Sequence, residues 1–222
     1  MKNVMSIDVE DWFCVYNLSR HIRYADWDSC ESRVERNTLR LLNLFGRNQV
    51  EATFFVLGWV AERFPDLVKE IERQGHEVAT HGYSHRLLTL MTPEEFRTDL
   101  QRSLDVLGKS ASSDVLGFRA PSFSLTRETL WAVRILKEAG IQYDSSVFPV
   151  AFHPEYGGRP VIFYLHPWEI DPDQPRVRGM SWSTRYRHYN NLERTEDRLE
   201  QLMEDFAFTS ARRLLSEDHR AA

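Results

Sequence analysis

At 222 residues, with 42% hydrophobic and 27% charged residues, the chain suits one soluble globular domain, at most two. Its formal charge of −5 argues against a nucleic-acid partner, which usually faces a basic excess. The start, "MKNVMSIDVED", is interrupted by Asp8, Glu10 and Asp11 before it reaches signal-peptide length, the longest apolar run, "ATFFVLGWVA", is about half a bilayer span, and the two cysteines, Cys14 and Cys30, make no disulfide framework; a cytoplasmic protein with no transmembrane segment is expected.

In chain order, "NVMSID" reads as a short buried strand, and Leu39, Leu42 and Phe45 then fall at helical spacing. "EATFFVLG" is a β-branched and aromatic run of strand length. "WVAERFPDLVKEIERQG" has helical periodicity and stops at Gly75. "HEVATHG" is a third strand. Thr92, Pro93 and Glu95 form an N-cap, N1 and N3 arrangement that opens a helix through "FRTDLQRSLDVLG". "DVLGFRAP" is a strand, "TRETLWAVRILKEAG" a helix ending at Gly140, and "IQYDSSVF" and "VIFYLHPW" are two further strands. Thr195 caps a last long helix, "EDRLEQLMEDFAF", followed by the short piece "ARRLL". Residues 14–36 and 150–160 read as irregular. The stretch from Pro167 to Asn191, rich in Pro, Arg and aromatic residues, reads as an extended surface wrap. Alternating strands and helices with short turns imply an α/β fold on a parallel sheet, open or closed into a barrel.

In such folds the functional groups lie at the carboxyl ends of the strands. Five of the six expected strands end on polar residues there: Asp8, Glu10 and Asp11; His81 and His85; Arg119; Asp144; and His166. Taken singly, each has an ordinary explanation. The spacing of His81 and His85 in "THGYSH" recurs by chance, an aspartate caps a turn, an arginine pairs on the surface, and a histidine before proline closes a turn. Gathered on one rim, they read as a site. Two histidines and a carboxylate with open positions form the ligand set of a catalytic divalent ion, zinc first among them. The remaining carboxylate, arginine and histidine are then available for acid/base work.

These motifs, in order and at plausible spacing, resemble those of the polysaccharide deacetylases, the NodB-homology group or carbohydrate esterase family 4. "SIDVED" resembles the family's acidic first motif, "HGYSH" its H-[ST]-x-x-H with Gly82 where Ser or Thr is usual, and "RAP" its R-x-P. "YDSSVF" resembles its aspartate-centred fourth motif, and Leu165–His166 its closing L-x-H. "DVEDWF", "RAPSFS", "YDSSVFP", "FYLHPWEID" and "HYNNLERTEDRLEQL" are similar to the exosortase-linked subfamily, found beside exopolysaccharide biosynthesis genes.

The resemblance implies a distorted (β/α) barrel of six or seven parallel strands, a single deacetylase domain over residues 1–222, and a C-terminal helical extension from about 167. It implies that Asp8 is the general base, oriented by Arg119, and that His166 is the general acid, held and tuned by Asp144. His81 and His85 match metal ligands. For the third ligand, strand alternation puts Glu10 on the side of Asp8, whereas a turn at the strand end presents Asp11; motif resemblance favours Asp11. Pro121, Phe123, Leu165 and Trp168 are expected to contact substrate. One divalent ion, zinc first, and an N-acetylated oligo- or polysaccharide are the implied cofactor and partner. Two readings compete. A metalloprotease is disfavoured because its H-E-x-x-H would put a glutamate between the histidines, where Gly82 and Tyr83 stand. A carbohydrate-binding or assembly protein without turnover is suggested by the ten-residue link "AFHPEYGGRP", too short for a helical crossover and a possible gap in the barrel.

Overall fold

The computed structural model describes residues 2–147 and 161–221. Its strands are β1 (Asn3–Val9), β2 (Thr53–Val56), β3 (Glu77–Thr80), β4 (Gly117–Phe118), β5 (Tyr143–Asp144), β6 (Ile162–Leu165) and β7 (Phe208–Thr209). All pair in parallel, in the order β5-β4-β3-β2-β1-β6, with β7 set against the start of β1. The result is a curled half-barrel of six strands, with a seventh of two residues that is too short to leave a periodic signal. Residues 14–36 hold two short 3-10 turns, Tyr16–Leu18 and Tyr24–Ser29, before the first α-helix begins. The short link at 150–160 lies outside the described residues.

The helices are α1 (Val34–Asn48), α2 (Gly58–Arg63), α3 (Pro65–Arg73), α4 (Pro93–Ser110), α5 (Trp131–Glu138), α6 (Trp182–Tyr189), α7 (Leu192–Asp205) and α8 (Ala211–Ala221). The run expected as one helix from Trp59 is two, because Pro65 has no N–H to continue α2 and instead takes the N1 position of α3. Gly75, at φ 85°, supplies the left-handed residue that turns the chain into β3. Thr92 and Glu95 exchange backbone and side-chain hydrogen bonds of 3.2 and 2.8 Å, closing the capping box that opens α4. Thr195 does not cap α7. It lies inside the helix, with its hydroxyl donating back to Asn191 O. The expected surface wrap contains the 3-10 turn Pro167–Ile170 and α6, whose polar and aromatic sequence gave no apolar stripe to read.

β1 is buried on both faces and paired along both edges, with β2 on one side and β6 and β7 on the other, so that even its polar Ser6 and Asp8 are buried. Ile7, Val9, Phe54 and Val56 pack with Leu41, Leu42 and Phe45 of α1, and with Val60, Val68 and Ile71 of α2 and α3. A second cluster, with Phe96, Leu100, Phe118, Ile135 and Leu136, seats α4 and α5 on β4. The carboxyl ends of the parallel strands share one rim, and the chain leaving β1 and β3 there delivers its polar residues to it. Among the described residues, no helix is long and apolar enough to cross a membrane.

Candidate active site

Strand alternation carries Asp8 to the rim at the end of β1, where it is buried against Arg119 from the end of β4. Arg119 Nη1 donates to Asp8 Oδ1 at 2.6 Å, and Nη2 donates to Ser6 Oγ and Ser145 Oγ at 3.0 and 2.8 Å. Nε donates to Ser145 O, and the guanidinium lies 4.1 Å over the Phe55 ring. A charge this deep needs such a partner set, because an unpaired buried cation is costly.

Beyond Asp8 the chain turns, with Glu10 N donating to Asp8 O, and Glu10 is buried on the site side. Its Oε2 is 2.6 Å from His85 Nε2 and has no other partner among the described residues. His81 Nδ1 donates to Arg119 O at 2.8 Å, which leaves Nε2 as its free lone pair. The donor atoms of Glu10, His81 and His85 lie within 4.8 Å of one another, all buried. Burial would raise the Glu10 carboxyl, but His85, His166 and His81 hold it down at about 2. Burial lowers His81 to about 4, against the pull of Asp8, so its imidazole is neutral. An ionised carboxylate and neutral imidazole, their donor atoms clustered and buried, together fit a bound divalent cation.

The loop carrying the histidines is held from α4. Asp99 accepts from Tyr83 N at 2.7 Å, Ser84 N at 3.1 Å and the Ser84 hydroxyl. Gly58 N and Ser103 Oγ both donate to Gly82 O. Gly82 has φ 73° and a Cβ there would stand 3.1 Å from Asp99 Oδ2, so both backbone and space suit glycine. His85 itself adopts φ 54°, a left-handed strain that the surrounding bonds sustain.

Two expected residues are elsewhere engaged. Asp11, favoured as the third ligand, is buried but faces the start of α1. It accepts from Trp12 N, Arg33 N and Val34 N, and from Ser32 Oγ at 2.6 Å. The turn after Asp8 puts Glu10 toward the histidines instead. Asp144, expected to hold His166, accepts from Ser146 N and Oγ at 3.0 and 2.5 Å. Ser146 Oγ in turn accepts from Ala120 N, so Asp144 braces the strand end that carries Arg119.

The partner of His166 is Glu169, which sequence reading missed. His166 Nδ1 donates to Glu169 Oε1 at 2.6 Å and its backbone N donates to the same oxygen at 3.0 Å, while Nε2 stands 3.4 Å from Glu10 Oε1. Burial would lower this histidine, but Glu169 and Glu10 raise it to about 9. The ring stacks on Trp168, and Trp168 stacks on His188 of α6, at centroid distances of 5.0 and 4.6 Å. A signal for Glu169 was present, since "HPWE" has the N-cap, proline N1 and N3 acid of a capping box.

These groups face a cavity of about 370 Å³, lined also by Tyr16, Asn17, Ser122, Phe123, Tyr164 and Arg187. Of the expected substrate contacts, Phe123 and Trp168 line it. Leu165 packs in the core, and Pro121 is buried at the start of the turn that presents Phe123. Ser122 and Phe123 both have positive φ, at 51° and 53°, which aims that turn at the cavity.

The chain matches the family described as "Polysaccharide deacetylase" over residues 20–143, and a domain of unknown function, DUF3473, over residues 150–216. It is 33% identical over 96 residues to a peptidoglycan-N-acetylglucosamine deacetylase of Bacillus cereus, a match covering 43% of this chain and 35% of that protein. The chain thus spans about a third of that curated relative's length. The fold is similar to a CE4 family pseudoenzyme from Bacillus anthracis, at TM-score 0.62 and 18% identity, covering 96% of this chain and 65% of the other. It is also similar to a family 4 carbohydrate esterase from Streptomyces lividans in complex with acetate, at TM-score 0.60 and 18% identity, covering 94% and 91%.

Proposed function

Because the chain belongs to the polysaccharide deacetylase family, we propose that it is a metal-dependent hydrolase removing N-acetyl groups from amino sugars of a glycan. The observation that carries this reading is the meeting of three elements on one rim: the Glu10–His81–His85 cluster, the Asp8–Arg119 pair and the His166–Glu169 pair. The protein is taken as one domain whose segment from about 167 onward completes the site. The subfamily phrases support an exopolysaccharide or its precursor as the glycan.

Glu10, His81 and His85 would hold the ion, zinc first by donor chemistry, which supplies Lewis-acid polarisation of the amide carbonyl and eases ionisation of water. Asp8 Oδ1 is engaged by Arg119, so Oδ2 is left to accept the proton of the attacking water. The water oxygen forms the new bond to the acetyl carbon and the carbon–nitrogen bond breaks. His166, kept as imidazolium by Glu169, passes its Nε2 proton to the departing amine, so acetate and a free amino sugar result. The ring's position is fixed by Glu169 at Nδ1 and by the Trp168 stack.

The test is acetate release from a panel of N-acetylated glycans, with and without a chelator. Release that the chelator abolishes and added zinc restores is the expected result. A second reading, a sugar-binding protein without turnover, draws on the pseudoenzyme among the fold neighbours. It predicts glycan binding with no acetate from any member of the panel.

A further inference from the structure

Between Gln174 and Leu192 the chain carries four arginines and no Asp, Glu or Lys, although its net charge is −5. Arg176, Arg178, Arg185 and Arg187 are all exposed. Arg176 stacks on Tyr189, but among the described residues the guanidinium groups of Arg178, Arg185 and Arg187 have no ion pair or hydrogen bond. Elsewhere on the surface Arg40 pairs with Glu196 and Arg97 with Glu138. Here the local sequence offers no carboxylate.

Helix α6, which carries Arg185 and Arg187, exposes two large aromatic rings. Trp182 is 78% and Tyr186 54% exposed, and they stack on each other one turn apart at 5.5 Å. Stranding an indole in water costs favourable burial, so a stacked exposed pair suits contact with a flat apolar face. Successive helical residues are about 100° apart, so Arg187 stands between His188 on one side and Tyr186 on the other. Arg187 and His188 both line the catalytic cavity, and His188 is stacked behind Trp168. Arg187 therefore borders the cavity on its His188 side and the aromatic pair on its Tyr186 side.

We infer that α6 is a subsite for an anionic glycan, holding the carboxylates or phosphates of sugars that flank the N-acetylated one. This rests on the deacetylase reading for the position of the reacting sugar, and it adds the chemical class of the substrate. Arg187, with a planar fork matched to oxyanions, takes the charge nearest the cavity. Trp182 and Tyr186 take the apolar face of the next ring, and Arg185 and Arg178 extend the positive field along the chain. The place of Arg187 in the cavity lining favours a glycan over a lipid headgroup, since a membrane surface would not need a guanidinium there.

The test compares chitohexaose with two anionic counterparts, hyaluronan hexasaccharide for carboxylate and 6-phosphorylated chitohexaose for phosphate. Equilibrium binding to the full chain is measured alongside acetate release. An anionic hexasaccharide should bind about tenfold tighter than chitohexaose at low salt, with the gap closing near about 0.5 M salt. Arg187→Glu and the double variant Arg178→Glu/Arg185→Glu should each remove most of the preference, the double variant leaving the cavity wall intact. Equal binding of all three hexasaccharides overturns the inference, and acetate release from chitohexaose would then leave the deacetylase reading standing. An anionic preference with no acetate from any glycan does the reverse. Binding to phosphatidylglycerol vesicles that Arg187→Glu abolishes, with no preference among glycans, assigns the face to a membrane and also overturns the inference.

Discussion

One oxygen of Glu169 accepts both the ring Nδ1–H and the backbone N–H of His166, at 2.6 and 3.0 Å. Chain and imidazole are thus fixed by a single acceptor three residues downstream. This carboxylate sets how the site responds to pH. Glu169 favours the imidazolium form, so Glu169→Gln should lower His166 from about 9 toward an ordinary imidazole value of about 6.5. An acid works only while protonated, so the alkaline limb of the pH–rate profile should move to lower pH and the rate at pH 8 should fall. Metal content should stay unchanged. Asp144→Asn, remote from the ring, should leave that limb where it is. A shift in the Asp144 variant and none in the Glu169 variant would reverse the assignment.

The acidic turn after β1 separates two jobs by one residue. Glu10→Ala should lose the bound ion on dialysis, because it removes one of three donors. Asp11→Ala should keep the ion and lose stability instead, by about 1–3 kcal/mol, since it strands buried N–H groups at the start of α1. Metal analysis and denaturant unfolding on the two variants separate the roles. An Asp11 variant that folds normally but holds no ion would restore Asp11 as a ligand.

How much of this could be read from the sequence depended on scale. Long periodic elements and strand ends were legible, so the rim carrying Asp8, His81, His85, Arg119 and His166 followed from the fold class alone. Asp11 is favoured by motif resemblance although strand alternation points to Glu10, and it is Glu10 that lies with the histidines; the contact of Asp144 with Ser146 depends on a turn past the strand end, beyond the reach of a period-two pattern. Glu169 had a local signature in "HPWE", but the fourth-motif resemblance drew attention to Asp144. Arg187 and His188 reach the cavity from α6, a helix with no apolar stripe, so no periodicity announced them. Asp99 lies in mid-helix among other charges, and only tertiary packing gives it a partner loop.

The buried Asp8–Arg119 pair should be unequal under mutation. Asp8→Asn keeps the shape and an acceptor for Arg119, so the ion and the fold should persist while acetate release falls by about a hundredfold or more. Arg119→Ala leaves Asp8 as an uncompensated buried charge, and should cost about 3–5 kcal/mol by denaturant unfolding. An Arg119 variant as stable as the parent would mean that Asp8 finds another donor.

Asp99 offers the sharpest separation of position from contact. It touches neither His81 nor His85 by hydrogen bond, yet it accepts from two of the three backbone N–H groups that lie between them, those of Tyr83 and Ser84. Asp99→Ala removes those acceptors, and the loop, strained at His85 with φ 54°, is then tied by hydrogen bond to α4 only through the Ser103 hydroxyl at Gly82 O. The two imidazoles should lose their fixed relation, and metal affinity should fall by about 10- to 100-fold, as for other residues that orient ligands from behind. Asp99→Asn retains a carbonyl oxygen for one N–H and should fall between the two. Because the donor set is intact in both variants, saturating zinc should restore most of the acetate release. Activity that stays lost at saturating zinc would instead make Asp99 part of the substrate's own environment, and unchanged zinc affinity in Asp99→Ala would mean that the bonds to Gly82 and Tyr83 from Gly58, Trp59, Thr80 and Ser103 suffice to hold the loop.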